Sequence, residues 1–115
     1  ARRIESLVCG HPKPLVITSG KVHTLPTSGV PLGIIPKFEY TLHEEPLAPN
    51  TRLVFYTDGL SEACTKTNTS MLGDKGVETF FTSHSIHNSA ELTTALGTTS
   101  DLAINDDITV VVADV

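Results

Sequence analysis

The feature that most constrains this chain is a pair of β-branched runs, each joined to an acidic turn. They are Arg52-Leu53-Val54-Phe55-Tyr56-Thr57-Asp58-Gly59 in the middle and Asp106-Asp107-Ile108-Thr109-Val110-Val111-Val112 near the end. β-Branched and aromatic residues suit a pleated surface, so both runs predict strands. Each turn then sets a carboxylate at a strand tip. Two such strands side by side in one sheet bring Asp58 together with Asp106 or Asp107, an arrangement of oxygen donors that suits a hard divalent cation.

With 115 residues the chain has the size of one domain, and its 39% apolar content is lean. Only 5% of the residues are aromatic and none is Trp, so the core must rest on Leu, Val and Ile. No apolar run approaches the ~20 residues that cross a bilayer. A formal charge of −5 without a Lys/Arg stripe argues against nucleic acid, because phosphate binding needs a positive field. Cys9 and Cys64 are too few for a disulfide framework and are expected as free thiols, which favours the cytoplasm. Ala1-Arg2-Arg3-Ile4-Glu5-Ser6-Leu7-Val8 lacks an initiator Met and an apolar signal region, and it alternates like a strand already under way. The chain is therefore expected to be a piece of a longer protein.

Residues 2–9 and 14–19 predict strands joined by a hairpin-like connection through Gly10-His11-Pro12-Lys13-Pro14, and Ser19-Gly20 predicts a tight turn into residues 21–25. Residues 26–36, with Pro26, Gly29, Pro31, Gly33 and Pro36, read as a loop. Residues 37–42 alternate Phe38, Tyr40 and Leu42 with polar neighbours and predict a half-buried strand. Residues 51–57 predict another strand, 60–63 a helical turn, and 65–73 a polar loop. Val77, Phe80 and Phe81 recur at helical spacing in 74–84, and a second helix is expected over 89–96, capped by Asn88 or Ser89 and ended by Gly97. Residues 98–107 read as a polar loop before a final strand at 108–112. Strands first and helices later give an α+β fold with a largely antiparallel sheet, a single partial domain over 1–115.

Several chemistries compete. Asp-Gly alone is an ordinary turn dipeptide, and Asn105-Asp106-Asp107 reads equally as a solvated loop. Adjacent carboxylates repel, however, and a cation relieves the repulsion. Gly59-Leu60-Ser61-Glu62-Ala63 nearly matches a hydrolase elbow, but the acids at 101, 106 and 107 lie after His87, the last histidine, so that fold's triad order cannot be completed. Neither cysteine is followed by the arginine of a cysteine phosphatase loop. His84 and His87 lack partners at zinc-site spacing. His11 is assigned the shaping of the Gly-His-Pro loop, with simple loop packing as its alternative.

Four segments in order, Cys9-Gly10-His11-Pro12-Lys13-Pro14, Pro31-Leu32-Gly33, Leu53 to Ala63, and Asp106-Asp107-Ile108-Thr109, resemble the C-terminal half of the SpoIIE-type bacterial serine/threonine phosphatases, relatives of protein phosphatase 2C. The resemblance implies an antiparallel β-sandwich flanked by helices, with the N-terminal half missing. It implies metal-binding roles for Asp58 and Asp106, with Asp107 ranked lower because eukaryotic relatives carry Asn there, and a metal-site loop at Gly59. Two Mn²⁺ or Mg²⁺ ions, ~3.5–4 Å apart, would then activate water for in-line attack on phosphorus. The implied substrate is phosphoserine or phosphothreonine on a regulatory protein, by analogy an anti-sigma factor antagonist. The family's first metal-binding segment, an Asp before a glycine-rich turn, has no counterpart here, so little catalysis is expected from the chain itself. The rival expectation is a non-catalytic module that self-associates or docks through exposed sheet.

Overall fold

A computed structural model describes residues 2–65, 70–98 and 102–115. The elements along the chain are β1 (Arg3–Ser6), β2 (Leu15–Thr18), β3 (Lys21–Thr24), β4 (His43–Pro46), β5 (Thr51–Tyr56), α1 (Asp58–Ser61), β6 (Cys64–Thr65), α2 (Gly73–Ser83), α3 (Ser89–Thr98), β7 (Leu102–Ala103) and β8 (Val110–Asp114). They fall into two compact units, Ala1–Phe55 with Ala113–Val115, and Tyr56–Val112. The α+β class with antiparallel sheets holds: β1 pairs β4, β2 pairs both β3 and β5, and β6 pairs β7, all antiparallel.

In the first unit, Ser19 and Gly20 have φ of 51° and 77°, which gives the two-residue turn whose twist matches its strands. β2 thereby folds back on β3. On its other side Val16 faces Leu53. Val8, Val16, Leu25 and Leu53 form the core, with Ile4, Leu47, Phe55 and Ala113 packed against it. At the far end of β5, Thr51 and Val115 exchange backbone hydrogen bonds of 3.1 and 2.9 Å.

Two expectations fail here. β1 is not the hairpin partner of β2; it pairs with β4, in the register Arg3 to Pro46 through Ser6 to His43. The loop after it leaves the ladder because Val8 is taken up by Ser28, whose Oγ accepts from the Val8 N–H at 2.9 Å. Residues 37–42 form no strand, and the strand of that region is β4 instead. Lys37 has a φ of 56°, which breaks extended geometry at the start of the stretch. Phe38 and Tyr40 do share a side, but they stack edge-to-face at 4.8 Å over Gly29, so the alternation records an aromatic clasp.

In the second unit, Tyr56, Leu60, Ala63, Val77, Phe80, Phe81, Ile86, Ala95 and Leu102 are buried. α2 turns Val77, Phe80 and Phe81 inward, as its spacing predicts. Asn88 caps α3, accepting from the Glu91 N–H at 2.9 Å, while the Glu91 carboxylate accepts from the His87 N–H. Gly97 does not end this helix, which runs on to Thr98. The short β6–β7 pair is a further departure from the expected polar loops, and within those loops 66–69 and 99–101, with Asp101, lie outside the described residues. The last strand begins two residues later than its apolar run, because Thr109 is still engaged with Thr57.

Candidate metal-binding turn and comparison with known proteins

Asp58, Gly59, Asp106 and Asp107 all belong to the second unit. Asp58 opens α1, where a carboxylate in the first turn favours the helix N-terminus, and Thr57 precedes it in extended conformation. The two acidic turns meet. The Thr57 N–H donates to the Thr109 carbonyl at 3.0 Å. The Thr109 N–H donates to Thr57 Oγ1 at 2.9 Å, and that hydroxyl donates to the Asp107 carbonyl at 3.3 Å. One threonine side chain therefore replaces the backbone ladder where the strands end.

Gly59 completes the contact. It is buried within α1 at an ordinary helical φ, and a Cβ there would overlap the Asp107 carbonyl oxygen and crowd that of Asp106. Glycine is required by close approach of backbone. On the other turn, Asp106 Oδ1 accepts from the Asp107 N–H at 2.7 Å, which fixes the Asp106 side chain against its own turn. The carboxylates of Asp58, Asp106 and Asp107 are exposed, and none forms an ion pair among the described residues.

This donor set fits a hard cation in kind, being all oxygen, anionic and accessible. It does not fit one in number: among the described residues no group of three or more His, Cys, Asp or Glu is placed to hold a metal ion. Sequence reasoning found the carboxylates and Gly59 but passed over Thr57 and Thr109, although each lies within two residues of an acid in its motif.

The remaining candidates have local roles. Ser61 Oγ donates to the Asp58 carbonyl at 3.1 Å, a helix-turn contact and not that of a nucleophile held by a base. His84 Nδ1 meets the Phe80 carbonyl at 3.0 Å, and His87 Nε2 meets Ser85 Oγ at 2.9 Å. His11 belongs to the first unit, where its Nδ1 lies 2.8 Å from the Pro12 carbonyl oxygen. Beside it Gly10, at φ 70°, occupies a place where a Cβ would overlap the Pro31 ring, so the first two family-like segments pack on each other.

Tyr56, two residues before Asp58, is 1% exposed, and among the described residues its hydroxyl has no partner in strict bonding geometry, the Asp74 carboxylate being the acceptor beside it. Burial pushes that hydroxyl up to about 12, and the carboxylates of Asp74 and then Glu78 add to the rise. Among the described residues no helix is long and apolar enough to cross a membrane.

The model of the Stage II sporulation protein E (SpoIIE) family matches residues 1–115. Among solved structures, the PP2C phosphatase domain of SpoIIE from Bacillus subtilis, solved with a fragment of its regulatory domain, is similar with a TM-score of 0.72 and 22% identity. That match covers 98% of this chain and 34% of the other. The SiaA PP2C domain of Pseudomonas aeruginosa is similar with a TM-score of 0.76 and 18% identity, over 99% of this chain and 47% of that one. A Mn-presoaked structure of the B. subtilis SpoIIE phosphatase domain gives a TM-score of 0.62 and 19% identity, over 98% and 50%. The chain thus spans between a third and a half of these proteins' lengths. No curated protein matches. The likenesses establish the fold as that of PP2C phosphatase domains, and by the match along residues 1–115 this chain belongs to the SpoIIE family.

Proposed function

We infer that residues 1–115 are part of a single metal-dependent phosphoprotein phosphatase domain, contributing carboxylates to its metal centre. The observation that carries this reading is the packing of Gly59 against the carbonyls of Asp107 and Asp106, which brings two acidic turns from distant parts of the sequence together. Asp58 and Asp106 would hold Mn²⁺ or Mg²⁺, with Asp107 the weaker candidate. The chemistry such an ion supplies when bound is charge neutralisation at phosphoryl oxygens and a lowered pKa for water. Thr57 holds the two turns in register and Asp106 is oriented by the Asp107 N–H, so the donors are positioned before a ligand arrives. His11 is assigned the shaping of its own Gly-His-Pro loop.

The substrate class proposed is phosphoserine or phosphothreonine on a regulatory protein, an anti-sigma factor antagonist by family analogy, in the cytoplasm. Turnover by the 115-residue chain alone is expected to be slight, given its short donor set.

Calorimetric titration of Mn²⁺ into the chain and into Asp58→Asn and Asp106→Asn tests the proposal. Saturable binding weakened at least about tenfold in each variant is expected, a carboxylate ligand being lost in both. Binding that is absent, or indifferent to both substitutions, sinks the metal-centre reading.

A further inference from the structure

We propose that Leu72 is a positioning residue for the metal donors, its N–H tethering the rear of the helical turn that Asp58 begins. The inference rests on the metal-centre reading above. α1 has only four residues, Asp58–Ser61, and a helix so short has no stability of its own. Within it the Glu62 N–H donates to the Asp58 carbonyl at 2.7 Å, and the Ala63 N–H to the Leu60 carbonyl at 3.3 Å. Leu60 and Ala63 are buried and α1 packs against α2, so the turn is kept wound by its surroundings.

The front of the turn is held by the contacts of Thr57 and Gly59 with the Asp107 turn. Its rear leaves carbonyls that no N–H inside so short a helix can reach. The carbonyl of Ala63 accepts from the Leu72 N–H at 2.7 Å, beside the bridge between Cys64 and Met71. Ala63 is 1% exposed, so water does not replace that bond, and its loss leaves a buried acceptor unsatisfied.

Leu72 is itself fixed from the other side. It is the N-cap of α2, where a backbone N–H has no acceptor within its own helix and is available to α1. Its side chain lies where a Cβ on Gly76 would overlap it, one turn into α2. α2 is anchored in turn by buried Val77, Phe80 and Phe81. The path from this anchor to Asp58 is therefore one backbone hydrogen bond and one helical turn.

Leu72→Pro removes the N–H while keeping the backbone, because φ at this position is already −56°. Met71 before it lies in a β-bridge, the extended form that a residue preceding proline takes. Leu72→Ala trims the side chain and keeps the N–H, which separates the bond from the packing. Calorimetric titration of Mn²⁺, on variants whose circular dichroism matches the parent, should give an affinity about fivefold weaker in Leu72→Pro and no more than about twofold weaker in Leu72→Ala. Equal losses in the two, or none in Leu72→Pro, overturn the tether. Amide exchange in the parent chain decides the same point without any variant: the Leu72 and Glu62 N–H groups should exchange together, as one opening unit. A Leu72 N–H that exchanges much faster than that of Glu62 overturns the proposal. A parent chain that binds no Mn²⁺ sinks the metal-centre reading and the role of Leu72 with it, whereas binding in the parent with Leu72→Pro unaffected removes the tether alone.

Discussion

Each of the two compact units contains a glycine at a place where a side chain would collide, and the colliding groups differ. In the first unit Gly10, at φ 70°, lies under the ring of Pro31. Its surroundings are apolar, and the contact is fully explained by a left-handed backbone and a packed loop. In the second unit Gly59 is helical and lies against the Asp107 carbonyl, with exposed carboxylates on both sides of the contact. Packing does not explain that arrangement. The contact joins two turns that each carry an exposed carboxylate, an arrangement that suits the metal-centre role proposed above. The same residue type thus marks a packed loop in one unit and a joint between two acidic turns in the other.

The comparison breaks most easily at the glycines themselves. Gly10→Ala combines left-handed strain with overlap and should cost about 3 kcal/mol of stability. Gly59→Ala, which must push a backbone carbonyl aside, should cost about 2 kcal/mol. The informative quantity is the cross-effect. Mn²⁺ affinity, measured where each variant is folded, should be lost in Gly59→Ala and kept in Gly10→Ala. If both variants lose it equally, the two contacts do not have separate roles.

A pair of hydroxyls sharpens the same contrast at smaller magnitude. Ser28 Oγ accepts from the Val8 N–H in a buried setting, so Ser28→Ala leaves a buried donor unsatisfied, at a cost of about 1–2 kcal/mol by urea unfolding. Thr57→Val removes exposed hydrogen bonds to Thr109 and Asp107 and should cost about 1 kcal/mol. Its distinguishing effect is on the ligand: Mn²⁺ affinity should fall severalfold in Thr57→Val and not in Ser28→Ala. Equal affinities in the two variants would show that the turns are held without the threonine.

What the sequence disclosed follows the range of the forces involved. Local signals were legible: the Ser19-Gly20 turn, the inward face of α2, the Asn88 cap and the apolar run of β5 all depend on neighbours within a few residues. The meeting of the Asp58-Gly59 turn with Asp106-Asp107 was also legible, as two acidic strand tips expected side by side. Pairing between distant strands was not legible. Nothing near Arg3 or His43 specifies that β1 and β4 adjoin, since that pairing is decided by the common core of Val8, Val16, Leu25 and Leu53. Residues 37–42 failed for a related reason: alternation is shared by a strand and by an aromatic clasp, and only a distant Gly29 separates them. Thr57 and Thr109 were missed because a hydroxyl replacing a ladder bond has no sequence pattern of its own.

The finest contrast between the units is in their cores. In the first unit the buried hydroxyls of Ser28 and Thr51 are hydrogen-bonded and do not titrate, whereas the second holds the Tyr56 hydroxyl, pushed up to about 12 by burial first and by Asp74 and Glu78 second. An unfolded tyrosine loses its proton near pH ~10, so between about 10 and 12 the unfolded state binds fewer protons than the folded one. Stability should therefore fall as pH rises through that window, and the contribution should be fully present below it. Tyr56→Phe removes the titrating group, and thermal unfolding of the variant should show a shallower alkaline fall than that of the parent chain. Near neutral pH the hydroxyl has no partner in strict bonding geometry among the described residues, the Asp74 carboxylate beside it being the near acceptor, so the same variant should match the parent or exceed it by up to about 1 kcal/mol. Marked destabilisation at neutral pH would mean that the hydroxyl is bonded in solution, with Asp74 the nearest acceptor to test by Asp74→Asn, and the polar character of the second unit would then extend from its exposed turns into its core.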